Sequence, residues 1–175
     1  MTWKNNILII ALFGLMNVSC GVYSFTGASI SSDVKTISIQ QFFNNSPLGP
    51  SNMSIDFTEK MKDYFLQNTN LILVDQEGDL QFEGSIENYT LTPVAVSASD
   101  SQNGIDLASL TRITIFVSAS YININDDQFD FDRQFSFFKD FDQNTQDLSA
   151  NEEEFVDEIF EQIVLDIFNS SVANW

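Results

Sequence analysis

Residues 112–138, RITIFVSASYININDDQFDFDRQFSFF, decide the fold. Arg112–Ile124 places an apolar residue at every second position, and Phe129–Phe138 repeats that alternation with phenylalanine against aspartate, glutamine and serine. A period of two is typical of strands with one buried face, and the polar run Asn125–Gln128 between them is typical of a turn. We therefore predict two strands joined as a hairpin, with one apolar face and one polar face.

The phenylalanines of this hairpin have two interpretations. We predict that the aromatic ladder is core, with a hydrophobic binding face as the alternative; it comprises Phe129, Phe131, Phe135 and Phe137. Three apolar residues fall on the polar face instead and are candidates for contact with a partner: Phe116, Ile122 and Phe138. Arg112 and Arg133 interrupt the strands, and each is predicted to pair with a nearby acid.

The elements on either side of the hairpin alternate in type. Val34–Phe43 is predicted as a strand with Ile37, Ile39 and Phe43 inward. Ser51–Asn68 is predicted as a helix capped by Ser51 or Ser54. Its inward stripe comprises Ile55, Thr58, Met61, Phe65 and Leu66, with Phe57 and Tyr64 flanking it. Leu71–Val74 is a short strand. A longer strand runs from Leu80 towards Pro93, and its alternation shifts by one residue at Asn88–Tyr89, which indicates a β-bulge.

The last element is a helix that ends at about Asn169. It opens with Ser149-Ala150-Asn151-Glu152, a capping box, and carries a wide apolar stripe. Each helix has one apolar stripe and the strands have one apolar face. The fold class is therefore α+β, with two helices packed on one face of a mainly antiparallel or mixed sheet of about four strands.

The amino terminus has the pattern of an export signal. A short polar start with Lys4 precedes the apolar run Ile7–Met16, which is too short to cross a bilayer, since a span needs about 20 residues. Cys20, the only cysteine, follows after Asn17-Val18-Ser19 and resembles the lipidated cysteine of a bacterial lipobox. We predict a signal peptide at 1–19, a lipidated tether at 20–32 and one α+β domain at 33–175. Cys20 would carry N-acyl and S-diacylglyceryl groups, which anchor it to a membrane.

Charge and composition exclude several functions. Removing residues 1–19 removes one lysine and no acid, so the net charge changes from −18 to −19. Such a surface repels nucleic acid. The chain has no histidine, and its one cysteine is assigned to the lipid, so sites and triads built on histidine or cysteine are excluded. Asp126–Asp132 lacks the glycine of a calcium loop. We predict no catalytic residue, no metal site and no cofactor beyond the lipid.

The order of several segments resembles the LptE family of lipopolysaccharide-assembly lipoproteins. The resemblance spans essentially the whole chain and rests on structural landmarks without a catalytic signature. These landmarks are Cys20–Gly27 followed by Val34–Ile39, Phe57–Glu59 with Asn70-Leu71, Gly78–Gly84 leading to Tyr89 and Pro93, Phe141-Asp142, and Val172–Trp175.

This resemblance implies a non-enzymatic lipoprotein anchored on the periplasmic side of the outer membrane of a Gram-negative bacterium. It implies one-to-one docking inside an LptD-like β-barrel. The lipoprotein plugs this barrel and helps to assemble it, and the barrel inserts lipopolysaccharide into the outer leaflet. Lipopolysaccharide itself is a further ligand implied by the family, although the acidic charge of this chain opposes binding of phosphorylated lipid A unless divalent cations bridge the two.

Two other readings compete with this one. The first is a lipid-anchored periplasmic binding module for an apolar ligand or another envelope protein, which would use the phenylalanine-rich sheet. The second is a carboxylate-dependent hydrolase, which needs two acids about 5–10 Å apart in a cleft. With 25 acidic residues, the sequence gives no reason to choose any pair.

Overall fold

The computed structural model describes residues 30–94 and 110–172. Six strands and two helices follow one another along the chain: β1 Thr36–Ile39, β2 Phe43–Asn44, α1 Met53–Asn68, β3 Ile72–Leu73, β4 Leu80–Pro93, β5 Leu110–Asn123, β6 Phe131–Asp142 and α2 Leu148–Ser171. A short 3-10 turn, Asp127–Phe129, lies between β5 and β6. The α+β class is confirmed.

The strands form one mixed sheet in the order β3-β1-β4-β5-β6, with β2 beside β4. β4, β5 and β6 are an antiparallel meander, whereas β1 and β2 run parallel to β4. The sheet has six strands where about four were expected. Two of the six have only two residues each: β3 lies within the predicted short strand Leu71–Val74, and β2 begins at the end of the predicted strand Val34–Phe43.

Both helices cover the same face of this sheet, as predicted. Phe65 of α1 lies 4.9 Å from Phe82 of β4, and Phe155 of α2 lies 5.3 Å from Phe141 of β6, between ring centroids. The two helices meet through Phe57 and Phe160, whose rings are 5.0 Å apart. These rings belong to one core together with the buried aliphatic residues of both layers, and their burial contributes hydrophobic stabilisation.

The first predicted strand is interrupted by one extra residue. Ile37 pairs with Leu80, 43 positions further along, whereas Phe43 pairs with Ser85, 42 positions further. One extra residue reverses which side chains point inward. The prediction of Phe43 as an inward residue is therefore wrong: its side chain is 73% exposed, and its neighbour Phe42 is fully buried.

The predicted caps of both helices are also wrong. Helix α1 begins at Met53 after Asn52, which makes no side-chain capping bond, and Ser54 Oγ instead donates to the carbonyl of Phe42. Helix α2 begins at Leu148, and the Asp147 carboxylate accepts a hydrogen bond from the Ser149 backbone N–H. An aspartate two residues before the serine satisfies the same donors, so the capping box is not used.

Two residues predicted in the inward stripe of α1 face solvent. Ile55 and Leu66 are 58% and 42% exposed. Thr58, Met61 and Phe65 are buried as predicted, and Phe57 and Met53 are fully buried as well. The buried stripe therefore overlaps the predicted one but is turned towards Phe57, which was expected to flank it.

The predicted β-bulge in β4 is confirmed. The pairing of β4 with β5 shifts between Ile86 and Asn88, so Tyr89 faces the core and is buried. Close to this bulge, Gly84 faces Phe42 across the interruption of the first strand. A Cβ at Gly84 would lie 2.1 Å from the Ser118 carbonyl oxygen, so only glycine fits between the strands and the ring.

Asp79 fastens the turn before β4 to β1. Its Oδ2 accepts hydrogen bonds from the backbone N–H groups of Lys35 and Thr36 at 2.8 and 2.9 Å and from the Thr36 hydroxyl at 2.9 Å. These hydrogen bonds, first of all the one from Lys35, lower the pKa of Asp79. Ile30 packs against the core, so the packed part of the chain already includes part of the segment predicted as a tether.

Candidate docking surface

Some predicted functional features lie outside the described residues. These are Cys20 with the signal peptide and most of the tether, the polar loop Ser97–Ser109, and the tail Ala173–Trp175. The second predicted loop, Asp140–Leu148, is shorter than expected, because β6 continues to Asp142 and α2 already begins at Leu148. The candidate surface is therefore assembled from the sheet, its edge and α2.

The sheet face away from the helices carries a rigid cluster of three side chains, Arg112, Phe138 and Asp140. Nε and Nη2 of Arg112 donate to the two carboxylate oxygens of Asp140 at 2.7 and 2.8 Å. Its guanidinium carbon lies 3.7 Å from the ring centroid of Phe138. The hydrogen bonds to Asp140 raise the pKa of Arg112. Cross-strand pairing places Arg112 opposite Asp140, so the sheet itself holds this cluster in position.

The predicted acid partner of Arg112 is thus confirmed, whereas Arg133 behaves differently. Arg133 lies on the helix-facing side of β6, over the rings of Phe131 and Phe135, with its guanidinium carbon 5.0 and 4.7 Å from their centroids. It also donates a hydrogen bond to the Ser170 hydroxyl near the end of α2. Arg133 therefore covers the edge of the core with its apolar stem and ring contacts.

Two phenylalanines of the aromatic ladder pack in the core, and the other two are exposed. Phe135 is buried and Phe131 packs partly buried against the core. Phe129 and Phe137 are 42% and 37% exposed. Of the three apolar residues predicted on the polar face, Ile122 and Phe138 are exposed and Phe116 is partly buried. Aromatic surface is therefore available on the polar face and at the β6 edge.

Tyr89 connects the sheet to the start of α2. Its hydroxyl donates to Glu152 Oε1 at 2.9 Å, and burial together with this contact raises the pKa of Tyr89. Glu152, near the start of the helix, thus fixes the helix over the sheet. The sequence did not single out this pair, because its members are 63 residues apart.

A cavity of about 330 Å³ lies where the described chain begins and ends. Its apolar lining comes from Ile30, Val34, Leu80, Tyr121, Phe129 and Val172, and its polar lining includes Asp33 and Asp126. Burial raises the pKa of the Tyr121 hydroxyl to about 12, so this phenol is neutral at physiological pH.

The acidic run Asp126–Asp132 serves local structure. Asp126 Oδ1 accepts from the Gln128 N–H, and Asp130 Oδ1 accepts from the Asn123 N–H, so both carboxylates hold the turn. Within residues 30–94 and 110–172, no group of three or more acidic, histidine or cysteine side chains is placed to hold a metal ion. Neither of the helices described has the length and apolar character needed to cross a membrane.

The sequence matches the family described as LptE, lipopolysaccharide-assembly, over residues 34–171. That match includes every strand and both helices. The chain belongs to the LptE family. The sequence matches no curated protein in a direct comparison.

Two solved structures share the fold of this chain at low sequence identity. The hypothetical protein CT253 from Chlamydia trachomatis superposes with a TM-score of 0.52 at 12% identity, covering 81% of this chain and 99% of its own. Rare lipoprotein B from Shewanella oneidensis superposes with a TM-score of 0.50 at 15% identity, covering 78% of this chain and 92% of its own. At these identities the likeness concerns the fold.

Within this LptE domain, the sheet face opposite the helices is the surface least explained by folding. The core needs Phe135 and Phe141, which are buried against α2, but it does not need Phe138 or Ile122. Arg112, held by Asp140, stacks on one side of the Phe138 ring, and the ring remains 44% exposed.

Proposed function

We propose that this chain is a non-enzymatic, lipid-anchored lipoprotein of the outer membrane that docks one-to-one inside an LptD-type β-barrel. In this role it plugs the barrel and assists its assembly, and the barrel inserts lipopolysaccharide into the outer leaflet. The observation that carries the proposal is the family match over residues 34–171, which spans all the described strands and helices.

The anchor in this proposal is Cys20. After cleavage at 1–19, its thiol would carry a diacylglyceryl group and its new amino group an acyl chain. Each buried CH₂ contributes about 0.8 kcal/mol, so two or three chains hold the protein on the membrane effectively permanently. Such an anchor fixes the domain on the periplasmic side, where the barrel lumen is accessible.

The exposed aromatic surface supports docking to another protein. Phe138 and Ile122 are 44% and 45% exposed on the sheet face, and Phe137 lies next to Phe138 at the sheet edge. Interface cores are enriched in aromatic residues and arginine, and the Arg112–Phe138 stack offers both in one rigid unit. We therefore place the barrel contact on this face.

Direct capture of lipopolysaccharide phosphates has less support, because the basic side chains are already engaged. Four of them form ion pairs within the domain: Lys60 with Asp157, Lys62 with Glu59, Arg112 with Asp140 and Lys139 with Glu158. The other two, Lys35 and Arg133, donate to Ser32 and Ser170. Binding of lipid A by this chain would require divalent cations as bridges.

The test is a pull-down of the lipoprotein from outer membranes in mild detergent, followed by mass spectrometry. Stoichiometric recovery of a large LptD-like barrel is the expected result. A Phe138→Asp variant should recover less of the barrel, while Phe129→Asp, on the turn between β5 and β6, is the control. Recovery of the lipoprotein alone, under conditions that keep other barrel complexes intact, would contradict the proposal.

The second candidate function is a lipid-anchored binding module for an apolar ligand. The cavity of about 330 Å³ beside Ile30 and Val172 favours it, since small-molecule pockets begin at about this volume. Its acidic and amide lining disfavours an acyl chain. Recovery of the lipoprotein without a barrel, but with a co-purifying small apolar molecule, would put this function first.

A further inference from the structure

Strand β6 leaves one edge of the sheet open. It is the last strand in the sheet order, and in the described parts of the chain nothing pairs with it on the side away from β5. All 12 residues of β6 pair with β5 without a register shift, so the edge is long and regular. Proteins usually blunt such an edge with a bulge, a short strand or a covering element, because it can pair with another chain.

Two phenylalanines are exposed side by side along this edge. Phe137 and Phe138 are 37% and 44% exposed and point to opposite faces of the sheet, yet their rings stack with centroids 5.8 Å apart. A groove of about 330 Å³ runs beside them between β6 and α2, and Lys139, Glu158, Ile159, Glu161 and Gln162 complete its lining. The edge thus combines free backbone groups with apolar surface.

The charge beside the groove defines the chemistry of an occupant. Glu158 and Glu161 line it from the α2 side and are exposed. Lys139, the one basic residue of the groove, is paired with Glu158, which leaves Glu161 as the unneutralised charge there. An added strand would therefore be favoured by lysine or arginine on its helix-facing side.

We propose that the free edge of β6 accepts an extended strand from a partner protein. Apolar residues of that strand would pack against Phe137 and Phe138, and a basic residue would face Glu161. Main-chain hydrogen bonds provide the affinity in this mode, and the side chains provide the selectivity. The proposal concerns only this edge and does not depend on which protein supplies the strand, so it stands or falls separately from docking in a barrel.

A second copy of the chain fits this edge poorly. Antiparallel pairing of two β6 strands centred on Ser136 would place Arg133 opposite Lys139 and Asp132 opposite Asp140. Like charges directly opposite each other destabilise a strand pair. Each copy also carries a net charge of −18, which adds repulsion between them. The charges along β6 therefore favour a different, basic strand.

The experiment uses the full-length chain in mild detergent with a nine-residue peptide of alternating lysine and valine. Amide hydrogen exchange is followed by mass spectrometry in β6 and, as a reference, in the central strand β4. The peptide should bind and slow exchange in β6 alone. The same peptide with alternate amides N-methylated should lose binding at least about tenfold, because it cannot donate the ladder hydrogen bonds. No binding, or binding that leaves β6 exchange unchanged, would overturn the proposal.

Variants on α2 test the charge argument. Glu161→Gln should weaken peptide binding about two- to fivefold, as expected for one exposed ion pair. Glu153→Gln removes an equally exposed charge from the same helix but away from the groove, and should leave the affinity unchanged. Equal weakening by both variants would mean attraction by overall charge and would refute the site. Slowing of β6 exchange with rising protein concentration, without peptide, would show self-pairing and refute it too.

Discussion

Replacing Phe42 and Phe43 by alanine separately tests the interruption between β1 and β2. Phe42 is fully buried, and its ring lies 5.0 Å from that of Phe57, edge to face, whereas Phe43 is 73% exposed. Deleting a fully buried phenylalanine costs about 3–5 kcal/mol, of which the aromatic pair accounts for about 0.5–1.5 kcal/mol. Phe43→Ala should change stability by no more than about 0.5 kcal/mol, as is usual for surface positions.

Urea and thermal unfolding of the purified chain measure both effects. At roughly 2–4 °C per kcal/mol for a chain of this size, Phe42→Ala should lower the Tm by about 6–20 °C and Phe43→Ala by at most about 2 °C. The double variant Phe42→Ala/Phe57→Ala should fall short of additivity by about 0.5–1.5 kcal/mol. Equal losses for the two neighbours, or a larger loss for Phe43→Ala, would mean that β1 and β2 form one uninterrupted strand and would refute the reasoning.

Four further predictions concern the anchor, a close backbone contact, a carboxylate and the aromatic ladder. Cys20→Ala should leave a folded protein that salt washing releases from membranes; full retention in a strain without the barrel would contradict lipidation. Gly84→Ala should destabilise by about 1–3 kcal/mol or more, because its Cβ would lie 2.1 Å from a backbone oxygen of β5; an unchanged urea midpoint would contradict this close contact. Because the pKa of Asp79 is lowered in the folded protein, its carboxylate stabilises the fold at pH values above its ordinary pKa of 3.8, and this stabilisation is lost as the pH falls from 3.8 through the lowered pKa. Asp79→Asn should therefore flatten the acidic part of the curve of unfolding free energy against pH. A variant curve parallel to that of the unmodified protein would contradict this role of Asp79. Phe135→Asp should lower the free energy of unfolding by several kcal/mol because it buries a charge. Phe138→Asp should barely change the melting temperature but should reduce recovery of the barrel. A larger loss of stability for Phe138→Asp than for Phe135→Asp would mean that Phe138 belongs to the core and Phe135 to the interface.

Periodicity alone was sufficient for the elements with long, regular patterns. The alternation of β4 and β5 predicted their inward residues, and the one-residue phase change at Asn88–Tyr89 predicted the bulge correctly. The stripe of α2 is buried as expected, including Phe155, Ile159 and Phe160. In these elements each residue type agrees with its tertiary environment, so the local pattern is informative.

The errors lie where a distant segment decides between two adjacent residues. Phe42 and Phe43 are equally apolar, and only the register against β4 selects which one is buried. Asp147 and Ser149 both have capping side chains, and the end of β6 determines which lies at the helix start. The exposed cluster of Arg112, Phe138 and Asp140 was predicted only in part, because Arg112 and Asp140 are 28 residues apart and meet through strand pairing.

The parallel pairing of β1 with β4 has a consequence for the order of folding. β4, β5 and β6 are joined by antiparallel pairing of strands that follow one another along the chain, whereas β1 must wait for partners about 43 residues ahead, with α1 between them. Long loops close late, because their entropy must be lost before any contact compensates for it. In a chain that emerges amino end first, β1 therefore cannot pair with β4 until β4 has been made, and the lipidation proposed for Cys20 would have this interval in which to take place.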